Sequence, residues 1–132
     1  TPWPSSAASD VYKRQEDFCI GFYTKYGDGG VDISPIGDLL KSEVYKLAEF
    51  LKIISGIQTA KPTDGLWGDD RTDEDQIGAS YSEIEWAMKN LNKKDLNKEQ
   101  EQIIKLYKKH NKNNQHKMNP IPVCLIPKNK IT

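Results

Sequence analysis

Residues 24–35 read TKYGDGGVDISP, with Gly27, Gly29 and Gly30 inside four positions and Pro35 closing the run. Glycine loses the most conformational freedom on entering a helix, and proline pushes the residue before it toward extended backbone. No helix passes through this stretch, so it divides the chain into a short aromatic lead-in and a long remainder. Two readings of it follow from residue chemistry. One is a solvated tight turn with lysine and aspartate at its rim. The other is a clamp in which glycines let the backbone approach a ligand closely. Lys25 would then supply a point charge for phosphate or carboxylate, and Asp32 would accept hydrogen bonds from hydroxyls or an amide. Taken alone, the residue types favour the turn.

The flanking segments read more simply. EDFCIGFY, from Glu16, has the texture of a short helix, and Val31-Asp32-Ile33 that of a short strand. From about Ile36 to Leu51 the residues Leu40, Val44, Leu47, Ala48 and Leu51 fall on one helical face. KPTDGLWGDDRTDED is turn chemistry around one large aromatic, Trp67, expected as a packing anchor. A short helix is expected near Thr72, its first turn suited by Asp73, Glu74 and Asp75 and its length limited by Gly78. Ser80 with Glu83 forms a capping box for a helix whose apolar face is Ile84, Ala87, Met88 and Leu91. Asn97 with Gln100 caps a last helix to about His110, striped by Ile103, Ile104 and Tyr107. The tail QHKMNPIPVCLIP reads as extended. The first fifteen residues, TPWPSSAASDVYKRQ, show no sustained period and read as a leader outside the fold.

Composition excludes several classes of function. Nineteen Lys and Arg balance nineteen Asp and Glu, so no chain-wide field gathers nucleic acid or anionic membrane. No apolar run approaches the ~20 residues of a spanning helix. Cys19 and Cys124 lie far apart and read as buried reduced thiols of a cytoplasmic protein. The common motifs fail as well. A G-x-G-x-x-G run counted from Gly27 meets Asp32 where glycine is required, and no G-x-x-x-x-G-K-[ST] occurs. A calcium loop from Asp73 would place Ile77 and Ile84 where oxygens are needed. His110 and His116 have no helical metal spacing.

Three blocks taken together resemble a known family. TKYGDGGVDISPIGDLLKSEVYKLAEFL, KPTDGLWGDDRTDEDQIGASYSEIEWAM and HKMNPIP are similar, in order and spacing, to the C-terminal half of ammonia-dependent bacterial NAD synthetase, from about Glu16 to Pro122. The resemblance implies the later half of an adenine-nucleotide α-hydrolase-like, Rossmann-like α/β fold. This portion would be mostly helical with one short parallel strand, in a protein acting as a homodimer. It implies residues 1–15 as a leader unlike the family and 16–132 as the C-terminal portion of the synthetase domain. The implied reaction is ATP-dependent amidation of deamido-NAD by ammonia with Mg²⁺, through an adenylated nicotinate carboxylate. Residue by residue, the resemblance assigns Lys25, Asp32, His116 and Lys117 to deamido-NAD. It assigns Lys41 and Thr63 to ATP, and Glu16 to the metal with Asp17 as a competing ligand. The acidic loop from Asp69 to Asp75 resembles a segment that closes over the site.

Two departures from the family stand out. The pyrophosphate-gripping S-G-G-x-D-S loop occurs nowhere in these 132 residues, and SDVYKRQ replaces the G-T-x-N-like stretch expected before Glu16. The chain on its own is therefore expected to be inactive, with exposed apolar surface where half a sheet would lie. Two other readings stand beside this one. The first is the synthetase portion of a glutamine-dependent NAD synthetase. The second is a non-enzymatic helical module touching nucleic acid through Lys93 to Lys117, which zero net charge and the lack of interleaved aromatics disfavour.

Overall fold

The computed structural model describes residues 13–60 and 72–127. Among them are seven α-helices: α1 (Gln15–Ile20), α2 (Lys41–Phe50), α3 (Ser55–Gln58), α4 (Asp73–Ile77), α5 (Tyr81–Lys89), α6 (Lys98–Asn113) and α7 (Gln115–Met118). A single 3₁₀ turn covers Asp28–Gly30. The helix starts follow from side-chain chemistry. Thr72, Ser80 and Asn97 each accept from the backbone N–H three residues on, and Asp75, Glu83 and Gln100 return the bond to the cap. Each pair satisfies amides that the first turn leaves without partners. Glu83 is held below the usual carboxylate range by its bonds to Ser80.

The core forms where α5 packs on α6 and α1 lies against both. Ile84 and Ala87 of α5 meet Ile104 and Tyr107 of α6, with Ile20, Ile77, Ala79 and Tyr81 completing the cluster. Polar side chains of α6 tie the shorter helices down. Asn111 donates to the Cys19 carbonyl at 2.7 Å and Asn114 to the Ile20 carbonyl at 2.8 Å, satisfying acceptors at the C-terminus of α1. The His110 ring nitrogen lies 2.9 Å from the Ile77 carbonyl at the end of α4.

Several sequence expectations are corrected. Among the described residues no strand forms. Val31 is extended, at φ −86° and ψ 151°, yet residues 31–33 have no neighbouring strand there to bond with. The second amphipathic segment is helical only from Lys41, because residues 35–38 turn with Gly37 donating to the Ser34 carbonyl. Its apolar face carries the exposed apolar surface expected from the sequence: Leu40 is buried, whereas Leu47, Phe50 and Leu51 are exposed, as are Ile53, Ile54 and Ile57 beyond them. Cys124 is exposed rather than buried, since residues 119–127 form no helix or strand and are all exposed. Residues 13–15 take part in the packing: Gln15 opens α1 and its N–H donates to the Leu39 carbonyl at 3.0 Å. Residues 1–12, Thr63, Trp67 and Asp69 to Arg71 lie outside the described residues. No described helix is long and apolar enough to cross a membrane.

Two helices end on left-handed glycines, Gly21 at φ 69° and Gly78 at φ 83°. Their surroundings differ. A Cβ on Gly21 would run into the Asn114 side chain, whereas one on Gly78 would meet only Leu106, at 3.9 Å. Gly78→Ala is expected to cost about 1–2 kcal/mol, the penalty of a left-handed non-glycine residue. Gly21→Ala is expected to cost more, because Asn114 must also leave the Ile20 carbonyl. Chemical denaturation of both variants checks the order.

Candidate functional site

The N-terminus of α2 is where the described residues concentrate buried charge. Its first amides point at carboxylates. Lys41 N–H donates to Glu16 Oε1 at 2.7 Å, Ser42 N–H to Glu85 Oε1 at 3.2 Å, and Leu40 N–H to Glu43 Oε2 at 2.8 Å. These acids supply the negative charge that a helix start favours. Glu16 is fully buried, and its Oε2 has no hydrogen-bond partner. Burial pushes its carboxyl above the usual range, only partly offset by the Lys41 N–H. Burial would raise Glu85 too, but the Ser42 bond and Lys89 outweigh it and hold Glu85 below the usual range.

Lys41 is only 8% exposed, and its ammonium sits 3.7 Å from the centre of the Tyr81 ring. Burial, followed by the Arg14 guanidinium, lowers its pKa. Tyr81, 3% exposed, is the hub of the cluster. Its hydroxyl lies 3.2 Å from Asp17 Oδ1 and 3.3 Å from Asp73 Oδ2, and its N–H donates to Glu74 Oε1 at 2.9 Å. Arg14 lies 4.8 Å from the same ring and its backbone N–H donates to Asp17 Oδ2. One phenolic proton cannot serve two carboxylates at once. Burial pushes Asp73 above the ordinary aspartate range, against the Tyr81 hydroxyl, and burial raises the Tyr81 phenol strongly.

Lys41 and Tyr81 form one wall of an open cleft of about 400 Å³, shared with Ser42, Thr59, Glu74 and Glu85. Thr63 lies outside the described residues, three positions beyond Ala60 on the cleft wall. Among the described residues no group of three or more His, Cys, Asp or Glu side chains could hold a metal ion. The unpartnered Glu16 Oε2 does fit one requirement of a hard cation, a buried carboxylate oxygen that no donor has taken.

The glycine turn forms a second region. Gly29 N–H donates to the Thr24 carbonyl at 3.0 Å, and Asp28 accepts from Thr24 N–H at 3.1 Å. A Cβ on Gly29 would stand 2.7 Å from the Tyr23 ring, which explains a glycine there. Lys117 reaches under the turn from α7 and donates to the Gly21 carbonyl at 2.7 Å and the Tyr23 carbonyl at 2.8 Å. Tyr23 hydroxyl returns a bond to the Lys117 carbonyl at 2.9 Å. Lys25 stands 5.3 Å over the Tyr26 ring. Asp32 and His116 are exposed. Of the residues expected at deamido-NAD, Lys117 is thus joined to the turn, Lys25 lies within it, and Asp32 follows it two positions on as an exposed residue.

Sequence reasoning singled out neither Tyr81 nor Asp28. Tyr81 follows a capping serine and reads as an ordinary first-turn residue, and Asp28 reads as turn composition. The available signal was that Tyr81 extends the apolar stripe of Ile84, Ala87, Met88 and Leu91 by one turn toward the start of α5.

Comparison with known proteins bears on this site. The NAD synthase family model matches residues 12–121. The NH(3)-dependent NAD(+) synthetase of Thermoplasma acidophilum is 39% identical over 106 residues, 80% of this chain and 43% of that protein. That of Mycoplasmopsis pulmonis is 49% identical over 70 residues, 53% of this chain and 27% of that protein. A solved structure of NMN synthetase from Francisella tularensis superimposes with a TM-score of 0.70 at 28% identity, covering 90% of this chain and 46% of that one. The chain spans less than half the length of these relatives.

Two outcomes are expected here. Lys117→Met should destabilise the fold by about 2 kcal/mol, the scale of hydrogen bonds from a charged donor, measured by denaturant titration. Asp73→Asn tests the raised aspartate. A carboxyl whose folded pKa is raised contributes stability that is fully present below its unfolded value, 3.8, and lost as pH rises through the folded value. The thermal midpoint of Asp73→Asn should therefore gain on the parent most at pH 7, and the gain should shrink on acidification toward 3.8.

Proposed function

The chain belongs to the NAD synthase family, and from that premise we propose that the protein it represents forms NAD from deamido-NAD, ATP and ammonia. In this reading the nicotinate carboxylate attacks the α-phosphorus of ATP and pyrophosphate leaves. Ammonia then attacks the acyl-adenylate carbon, and AMP departs. A carboxylate is a poor electrophile until its oxygen becomes a good leaving group, so the site must neutralise phosphate charge and align two reactants. The observation that carries the reading is Lys41, a largely buried lysine without a carboxylate partner on the wall of an open cleft.

The roles are those the family resemblance implies. Lys41 and Thr63 take ATP, the lysine as a point charge toward phosphate. Glu16 would hold Mg²⁺, which when bound screens phosphate charge. Lys25, Asp32 and His116 take deamido-NAD. Lys117 does so by fixing the turn's backbone, since its ammonium is engaged with the Gly21 and Tyr23 carbonyls. The rest of the domain, a doubly wound sheet in a cytoplasmic homodimer, belongs to the same reading. Identities of 39% and 49% to NAD synthetases, against 28% to the NMN synthetase, favour the dinucleotide as acceptor.

The 132-residue chain lacks S-G-G-x-D-S and should form no NAD from deamido-NAD, ATP, Mg²⁺ and ammonia. A chimera carrying the N-terminal portion of the Thermoplasma acidophilum relative ahead of residues 13–132 should form it. In that chimera Lys41→Ala should lower kcat/KM for ATP by about 10²–10³, the size expected for a preorganised electrostatic contact. Lys25→Ala and Asp32→Ala should act mainly on deamido-NAD. An inactive but folded chimera, or an unaltered ATP response in Lys41→Ala, would overturn these assignments.

A further inference from the structure

We infer that Tyr81 is a positioning residue for Lys41, its ring face holding the ammonium at the cleft wall with all three N–H donors left for an incoming anion. The inference rests on the reading of Lys41 as a phosphate cation and deepens it. Buried lysines are ordinarily paired with a carboxylate. Among the described residues no side chain makes a hydrogen bond or an ion pair to the Lys41 ammonium, although the residue as a whole is only 8% exposed. Its close electrostatic partner is the Tyr81 ring, 3.7 Å away.

A ring face and a carboxylate do different things to a cation. A carboxylate consumes N–H donors and cancels the charge, so an arriving phosphate would have to displace it. An aromatic face attracts the same charge through its quadrupole and accepts no conventional hydrogen bond. The cation is held without being spent. Asp17, Asp73 and Glu74 act on it from greater distance, and Arg14 repels it.

The platform is itself rigid. Its hydroxyl is fixed between Asp17 of α1 and Asp73 of α4, and its backbone by Glu74 of α4, so two neighbouring helices determine where the ring stands. The Lys41 backbone is fixed independently by Glu16. Both ends of the side chain are therefore placed before any ligand arrives, which lowers the ordering cost of binding.

The test uses this chain with inorganic triphosphate as probe. The Lys41 ε-methylene protons should resonate upfield of those of exposed lysines, a ring-current signature that a merely structural tyrosine at another distance would not produce. Tyr81→Phe should keep both that shift and triphosphate affinity within about twofold. Tyr81→Leu should lose the shift and weaken triphosphate binding about tenfold, the scale of a desolvated cation–π contact. Lys41→Ala should abolish binding. If Lys41→Ala abolishes binding while a folded Tyr81→Leu binds as the parent does, the positioning role fails and the phosphate reading stands. If Lys41→Ala binds triphosphate unchanged, the phosphate reading fails and this inference with it. Should Tyr81→Leu not fold, an unshifted Lys41 signal in the parent overturns the inference, and a shifted signal retained in Tyr81→Phe supports it.

Discussion

The contact between Lys41 and Tyr81 ties together the buried charges of the described structure, because the groups around it make a largely buried lysine tolerable. An ammonium removed from water without a partner is costly, and the interior normally answers with a paired carboxylate or a lowered pKa. Here the answer is spread over several elements. Glu16 takes the Lys41 backbone, the aromatic face takes its charge, and Asp17 with Asp73 fixes the aromatic hydroxyl. Four of these groups, Glu16, Asp17, Lys41 and Tyr81, are buried together beside a core of only modest size. Such a concentration does little for stability in itself. Perturbed, buried, convergent titratable groups on a cleft wall are the pattern expected of a site for charged chemistry.

Much of the local structure was legible because it is written in short-range chemistry. The boxes Ser80 with Glu83 and Asn97 with Gln100 located the starts of α5 and α6, and Gly78 located the end of α4. The stripe Ile84, Ala87, Ile104 and Tyr107 located the core. What failed depended on partners distant in sequence. Val31 to Ile33 has strand chemistry, but strand formation needs a neighbour to complete the hydrogen-bond ladder. The uncovered apolar face of α2, by contrast, agrees with the exposed apolar surface expected of this chain. Leu47, Phe50 and Leu51 remain exposed. The chain also spans less than half of its relatives' length, and the longer proteins carry polypeptide for which this chain offers no counterpart.

The site was legible in outline and not in its interior. Glu16 and Lys41, 25 residues apart, are brought into hydrogen-bond contact. Lys117 lies beneath the glycine turn, 94 residues from Tyr23 in sequence, so turn and tail are in contact. Yet the ammonium of Lys117 is engaged with backbone carbonyls, which makes it a strut of the turn. Tyr81 and Asp28 had no sequence signature, because a ring beneath a cation and an aspartate closing a turn are defined by what they meet in space.

The most direct measurement is footprinting of lysines by reductive methylation, read by mass spectrometry with and without ATP and Mg²⁺. Buried over Tyr81 yet facing the cleft, Lys41 should react slowly in the free chain and more slowly still with nucleotide, while the exposed Lys105 and Lys108 of α6 stay unchanged. Protection at Lys41 alone is the expected result. Methylation of Lys41 at the same rate with and without saturating ATP would contradict its assignment as the phosphate cation.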